Sequence, residues 1–120
     1  MPTPANLSLG GKQRLFTRLL GQLLTCIYDL GYEASIREVQ RTPAQAALNA
    51  ANGTGIANSL HLDSLAADIM IFKGNQLLTK SEDYEPFGVY WESLHPLCAW
   101  GGRFKKPDGN HFSVPHRGVR

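Results

Sequence analysis

Ala66-Ala67-Asp68-Ile69-Met70-Ile71-Phe72, then Lys73-Gly74-Asn75, then Gln76-Leu77-Leu78-Thr79: this stretch decides the fold class. Its first seven residues are apolar apart from Asp68, and a turn closes the run, so Ala66 to Phe72 reads as a largely buried strand. Lys73-Gly74-Asn75 reverses the chain, and Gln76 to Thr79 returns as a hairpin partner. A local hairpin makes an antiparallel pair, whereas parallel strands need long crossovers. The class predicted is therefore α+β, one compact domain with a small, mostly antiparallel sheet and flanking helices.

The flanking sequence supplies the helices. Leu15, Phe16, Leu19, Leu20, Leu23, Leu24, Ile27 and Tyr28 recur at helical spacing and form one broad apolar face. Gly31 suits the end of that helix, because it accepts a left-handed backbone without steric cost. Tyr32 to Val39 alternates loosely and reads as a short strand. Thr42-Pro43-Ala44-Gln45 opens a second helix with a capping box, and Asn52-Gly53 ends it. Ser81 through Leu94 is a further predicted helix, stopped by His95-Pro96. Trp100 to Gly109 reads as loop and His111 to Val114 as a last strand. Residues 1–120 form a single domain in this reading, with 1–11 and 116–120 as flexible ends.

Composition narrows the class. The chain has 120 residues, 42% of them hydrophobic and 18% charged, which suits a globular domain and argues against disorder. No run approaches the roughly 18 apolar residues of a membrane span. Met1-Pro2-Thr3-Pro4 has no basic region followed by an apolar block, so no secretory signal is expected. Cys26 and Cys98 form no C-x-x-C pair and read as small buried hydrophobes. The last twenty residues carry five basic groups against Asp108 alone. No aromatic residues interleave with them as a stacking platform requires, so a solvated tail is preferred to a nucleic-acid site.

His61, Asp68, Asp108 and His111 are the residues that could carry chemistry. Zinc takes imidazole nitrogen and carboxylate oxygen, and a catalytic site has three such protein ligands with a fourth position for water. His61, Asp68 and His111 could supply that set. Residues seven apart on one strand face opposite sides, so His61 is expected on a loop or a differently directed strand. Asp68 borders a buried run, where a carboxylate needs a partner, and a metal is one. Gly109-Asn110 is a turn dipeptide that can fold Asp108 back toward His111, placing a carboxylate where a general base belongs. The same string is also an ordinary turn followed by a structural histidine, and spacing alone leaves both readings open.

The strings themselves carry a resemblance. Ser59-Leu60-His61-Leu62-Asp63-Ser64-Leu65-Ala66-Ala67-Asp68 resembles the S-x-H-x-x-G-x-A-x-D signature of the zinc D-Ala-D-Ala carboxypeptidase and L-alanyl-D-glutamate endopeptidase family. Asp108-Gly109-Asn110-His111-Phe112 is similar to that family's second signature, an acid three residues before the last histidine ligand. The stretch from Tyr90 through Trp100-Gly101-Gly102 resembles the tryptophan-and-glycine segment of phage members. Arg41-Thr42-Pro43 resembles the R-T-P that opens an early helix there. The likeness covers roughly residues 12–115.

The resemblance implies a hedgehog/DD-peptidase-like fold and a Zn2+ site of His61, Asp68 and His111. Asp108 would be the catalytic base, Arg41 would polarise the scissile carbonyl or steady its oxyanion, and Ser59 would contact substrate. It further implies a monomeric phage endolysin that hydrolyses peptidoglycan stem peptides after holin-type release from the host cytoplasm. Ser64 departs from the signature, which has Gly there. Asp108 in place of Glu favours the endopeptidase branch over the carboxypeptidase branch. A non-catalytic zinc-binding protein of the same fold is the rival from another class. Glu92 is the alternative base, His95 a helix terminator, and His116 a solvated tail residue.

Overall fold

Ser8 starts the first helix. Its Oγ accepts the Gly11 N–H at 3.0 Å, satisfying one of the unpaired donors of the first turn. The computed structural model describes residues 7–38 and 64–116. Helix α1 spans Leu9–Asp29 and so begins inside the segment expected to be a flexible end. Phe16, Leu19, Leu23 and Ile27 are its buried stripe. Gly31, at φ 86°, closes it. The Gly31 N–H donates to Tyr28 O and the Tyr32 N–H to Ile27 O, the paired bonds of a Schellman end. Tyr28 is 53% exposed rather than buried, and its hydroxyl instead bridges the N–H and C=O of Ala34.

Five strands follow among the described residues: β1 (Glu33–Glu38), β2 (Ala66–Lys73), β3 (Gln76–Leu77), β4 (Ala99–Trp100) and β5 (His111–Ser113). They form one antiparallel sheet in the order β1-β2-β5-β4, with β3 also paired to β2. Phe72 pairs with both Glu33 and Leu77, so β3 takes up the edge of β2 that β5 leaves free. The α+β expectation holds. The loop expected over 100–109 contains the end of β4 and a 3-10 turn at Gly101–Arg103. The second helix, expected from Thr42, lies outside the described residues.

The helix expected from Ser81 divides in two: a 3-10 turn at Ser81–Tyr84, then α2 over Glu85–Leu94. Pro86 is the cause. It has no N–H for the carbonyl of Glu82, which accepts from Glu85 in a tighter turn instead.

Along β2 the residues alternate. Ala67, Ile69 and Ile71 are fully buried, while Asp68, Met70 and Phe72 are half-buried. The buried face meets the helices. Trp91 of α2 packs edge-on to Phe16 of α1 (5.8 Å) and to Phe112 of β5 (6.0 Å). Its indole N–H reaches both Ala99 O and Ser113 O, which ties α2 to the β4–β5 pair. The opposite face carries Asp68. Among the described residues no helix is long and apolar enough to cross a membrane.

Candidate metal centre

Strand pairing brings the site together. Asp68 sits directly opposite His111 in the β2–β5 register, so their side chains leave the same face of the sheet as a cross-strand pair. His111 Nδ1 lies 3.3 Å from Asp68 Oδ1, with the imidazole side chain 9% exposed and the carboxylate 25% exposed. On its other edge Asp68 faces Glu38 beyond a bulge between Ile36 and Glu38, the kind of irregularity that re-aims a strand beside a site.

Asp108 arrives by the turn that the sequence suggests. The His111 N–H donates to Asp108 O at 3.1 Å, closing a four-residue turn. One ligand atom each from Asp68, Asp108 and His111 then lies within 4.8 Å of the others. Donors around a single zinc ion are roughly 3–4 Å apart, given ligand distances near 2 Å. Asp108 is exposed. A histidine nitrogen with carboxylate oxygens is a donor set that suits zinc. His61, Arg41 and Ser59 lie outside the described residues.

Several supporting residues were not singled out from sequence for this role. Gly109 is held at both ends of its peptide units: its N–H donates to Ser81 Oγ at 2.9 Å, and its carbonyl accepts the Trp100 indole N–H at 2.7 Å. Gly101 packs so closely that a Cβ there would strike Asp108 O and come 2.8 Å from His111 Cβ. Gly101 O also accepts the Asp108 N–H at 2.9 Å. Phe104 stands against the His111 ring, with centroids 5.4 Å apart. The Trp100-Gly101-Gly102 string was the available signal, but its roles depend on contacts across the fold.

Ser64 adopts φ 55°, the left-handed region where glycine carries no Cβ penalty. It stands where the resembled signature has Gly.

The other candidates separate from this group. Glu92 is held by Arg103, with Nε to Oε2 and Nη2 to Oε1 both at 3.1 Å, and Arg103 lies over the Trp100 ring at 5.2 Å. The hydrogen bond and charge of Glu92 raise the Arg103 pKa. His95 Nδ1 accepts the Leu97 N–H at 3.1 Å, which fits a helix terminator. His116 is half-buried, 3.2 Å from Lys12 Nζ, rather than a solvated tail residue. Cys26 and Cys98 are half-buried rather than fully so, and burial pushes the Cys98 thiol up to about 12.

The fold has a counterpart among solved structures. The chain is similar to the L-Ala D-Glu endopeptidase ChiX of Serratia marcescens, with a TM-score of 0.63 and 23% identity over 71% of this chain and 68% of that one. The likeness is one of fold. No family model and no curated protein matches the sequence.

Proposed function

We propose that this protein is a zinc-dependent peptidase that cleaves peptidoglycan stem peptides between L-Ala and D-Glu. The observation that carries the reading is the convergence of Asp68, Asp108 and His111 within 4.8 Å. The fold likeness to an L-Ala D-Glu endopeptidase supports it independently. His61, Asp68 and His111 would hold the ion. A zinc ion bound there would supply Lewis acidity toward the scissile carbonyl and acidify a coordinated water.

The remaining chemistry belongs to side chains. His111, almost enclosed, and Asp68, its strand partner, are held by the sheet and suit the part of fixed ligands. Asp108 is the most exposed of the three and lies on the turn, where substrate and water arrive. It takes a proton from the attacking water and returns it to the leaving amine. Arg41 steadies the oxyanion and Ser59 contacts substrate. In the cell this is the work of a monomeric phage endolysin, made in the host cytoplasm and released to the wall by a holin-type route.

Digestion of purified peptidoglycan with zinc-loaded protein tests the reading. New D-Glu amino termini are expected, with about one zinc per chain by elemental analysis, most of it lost in His111→Ala. Release of D-Ala alone would make the protein a carboxypeptidase. No release from folded, zinc-loaded protein would leave a non-catalytic zinc protein.

A further inference from the structure

Ser81 opens the 3-10 turn Ser81–Tyr84. Serine is favoured near helix starts because its hydroxyl can accept from the unpaired N–H groups there. Here Asp83 does that work: its N–H donates to Lys80 O at 2.9 Å, and its carboxylate accepts the Lys80 N–H at 3.4 Å. Ser81 Oγ reaches away from its own turn. It accepts the N–H of Gly109, 28 residues along the chain, at 2.9 Å.

That bond falls on the peptide that follows Asp108. The Asp108 carbonyl and the Gly109 N–H belong to one rigid plane. The carbonyl accepts the His111 N–H at 3.1 Å and the N–H reaches Ser81, so the plane is pinned at both edges. The Asp108 N–H donates to Gly101 O at 2.9 Å, which pins the plane before it. With both planes held, the backbone dihedrals of Asp108 are set, and with them the direction of its Cα–Cβ bond. His111 is secured differently. Its strand lies between β2 and β4, opposite Asp68, and the Ile69 N–H donates to Asn110 O just before it. Ser81 itself is firmly seated. A Cβ on Gly109 would come 2.6 Å from Ser81 Cα and 2.7 Å from Ser81 O, so the two backbones touch. Buried Tyr84, in the same turn, donates its hydroxyl to Leu78 O at 2.8 Å and so ties the turn to the end of the hairpin.

We infer that Ser81 is a positioning residue for Asp108. Resting on the function proposed above, it aims the carboxylate that exchanges a proton with water, and leaves Asp68 and His111 where the sheet holds them. Misplacing a reacting group by about 1 Å can cost on the order of 10²-fold in rate.

The substitution Ser81→Ala removes the acceptor and adds no atoms. On a soluble stem peptide containing L-Ala–D-Glu, kcat should fall about 10- to 100-fold with KM within about twofold of the wild type. Zinc should stay at about one per chain. In an Asp108→Asn background, followed with enzyme in excess, the same substitution should cost less than about twofold, since the carboxylate it aims is gone. A role in general stability would instead lower both backgrounds alike. Amide hydrogen exchange reads the bond without turnover: Gly109 should be protected in the wild type and exchange at least about tenfold faster in Ser81→Ala. An unchanged kcat, an equal loss in both backgrounds, or Gly109 exchange that Ser81→Ala leaves as it was would each overturn the positioning role and leave the peptidase reading intact. Wild-type Gly109 exchanging at the rate of an open amide would overturn it whether or not the variant folds. A wild type that cleaves nothing while Gly109 stays protected would overturn the peptidase, and this role with it.

Discussion

Replacing glycine by alanine should have opposite effects at Gly101 and Gly21, and the contrast measures how tightly the site turn is held. At Gly101 the added methyl would overlap Asp108 O and lie 2.8 Å from His111 Cβ, where ordinary contacts begin near 3.4 Å. Both neighbours belong to the turn that carries the candidate metal group. Neither is the end of a flexible side chain, so the turn itself must shift. Overpacking of a buried site costs about 1–3 kcal/mol. For a domain of this size that is roughly 4–12 °C in Tm. Asp108 and His111 move with the turn, so on the proposed function zinc affinity should fall as well. Gly21 is the internal control. It lies mid-helix in α1, and an added Cβ meets nothing within 4 Å. Alanine there should stabilise by about 0.5–1 kcal/mol. Urea or thermal unfolding, with zinc content by elemental analysis, reads both variants. A Gly101→Ala protein as stable as the wild type and with equal zinc would refute the packing argument.

Other outcomes follow from the same geometry. Asp108→Asn should keep fold and zinc but lose on the order of 10²–10⁴ in rate; loss of zinc along with rate would make Asp108 a ligand. Glu92→Gln should change stability by less than about 1 kcal/mol, as exposed ion pairs do, and leave the rate alone; a large fall in rate would reinstate Glu92 as the base. Ser64→Gly should leave stability level or raise it by up to about 1 kcal/mol, because relief of the left-handed backbone is set against glycine's extra freedom when unfolded. Denaturant midpoints decide this, and a clear loss would show that the serine side chain contributes more than the strain removes. The Cys98 thiol sits near 12 when folded against an ordinary 9.0. Its contribution is therefore complete below about pH 9 and is lost as pH rises toward 12. Stability of Cys98→Ala should fall less steeply over that window than that of the wild type, and equal slopes would contradict the burial argument.

How much of this was legible beforehand depends on the range of the interaction concerned. Helix α1, its Gly31 ending, the β2–β3 hairpin and the Asp108–His111 turn all follow from residues within a few positions of one another. Apolar spacing, a left-handed glycine and a turn dipeptide act locally, so the sequence alone determines them. Asp68 and His111 could be named as candidates from their residue types and from a resemblance, but not paired. Their contact depends on β5 lying beside β2, across 43 residues of chain. Trp100, Gly101 and Ser81 belong to the same class. The indole bond to Gly109 O, the missing Cβ beside Asp108 and the serine that receives Gly109 N–H exist only once three separate segments have packed. Tyr28 marks the limit from the other direction: its spacing places it on the apolar face, yet it is about half exposed and its hydroxyl engages the Ala34 backbone. Periodicity sets which way a side chain points along its own helix, but only the packed sheet and helices decide what it meets there.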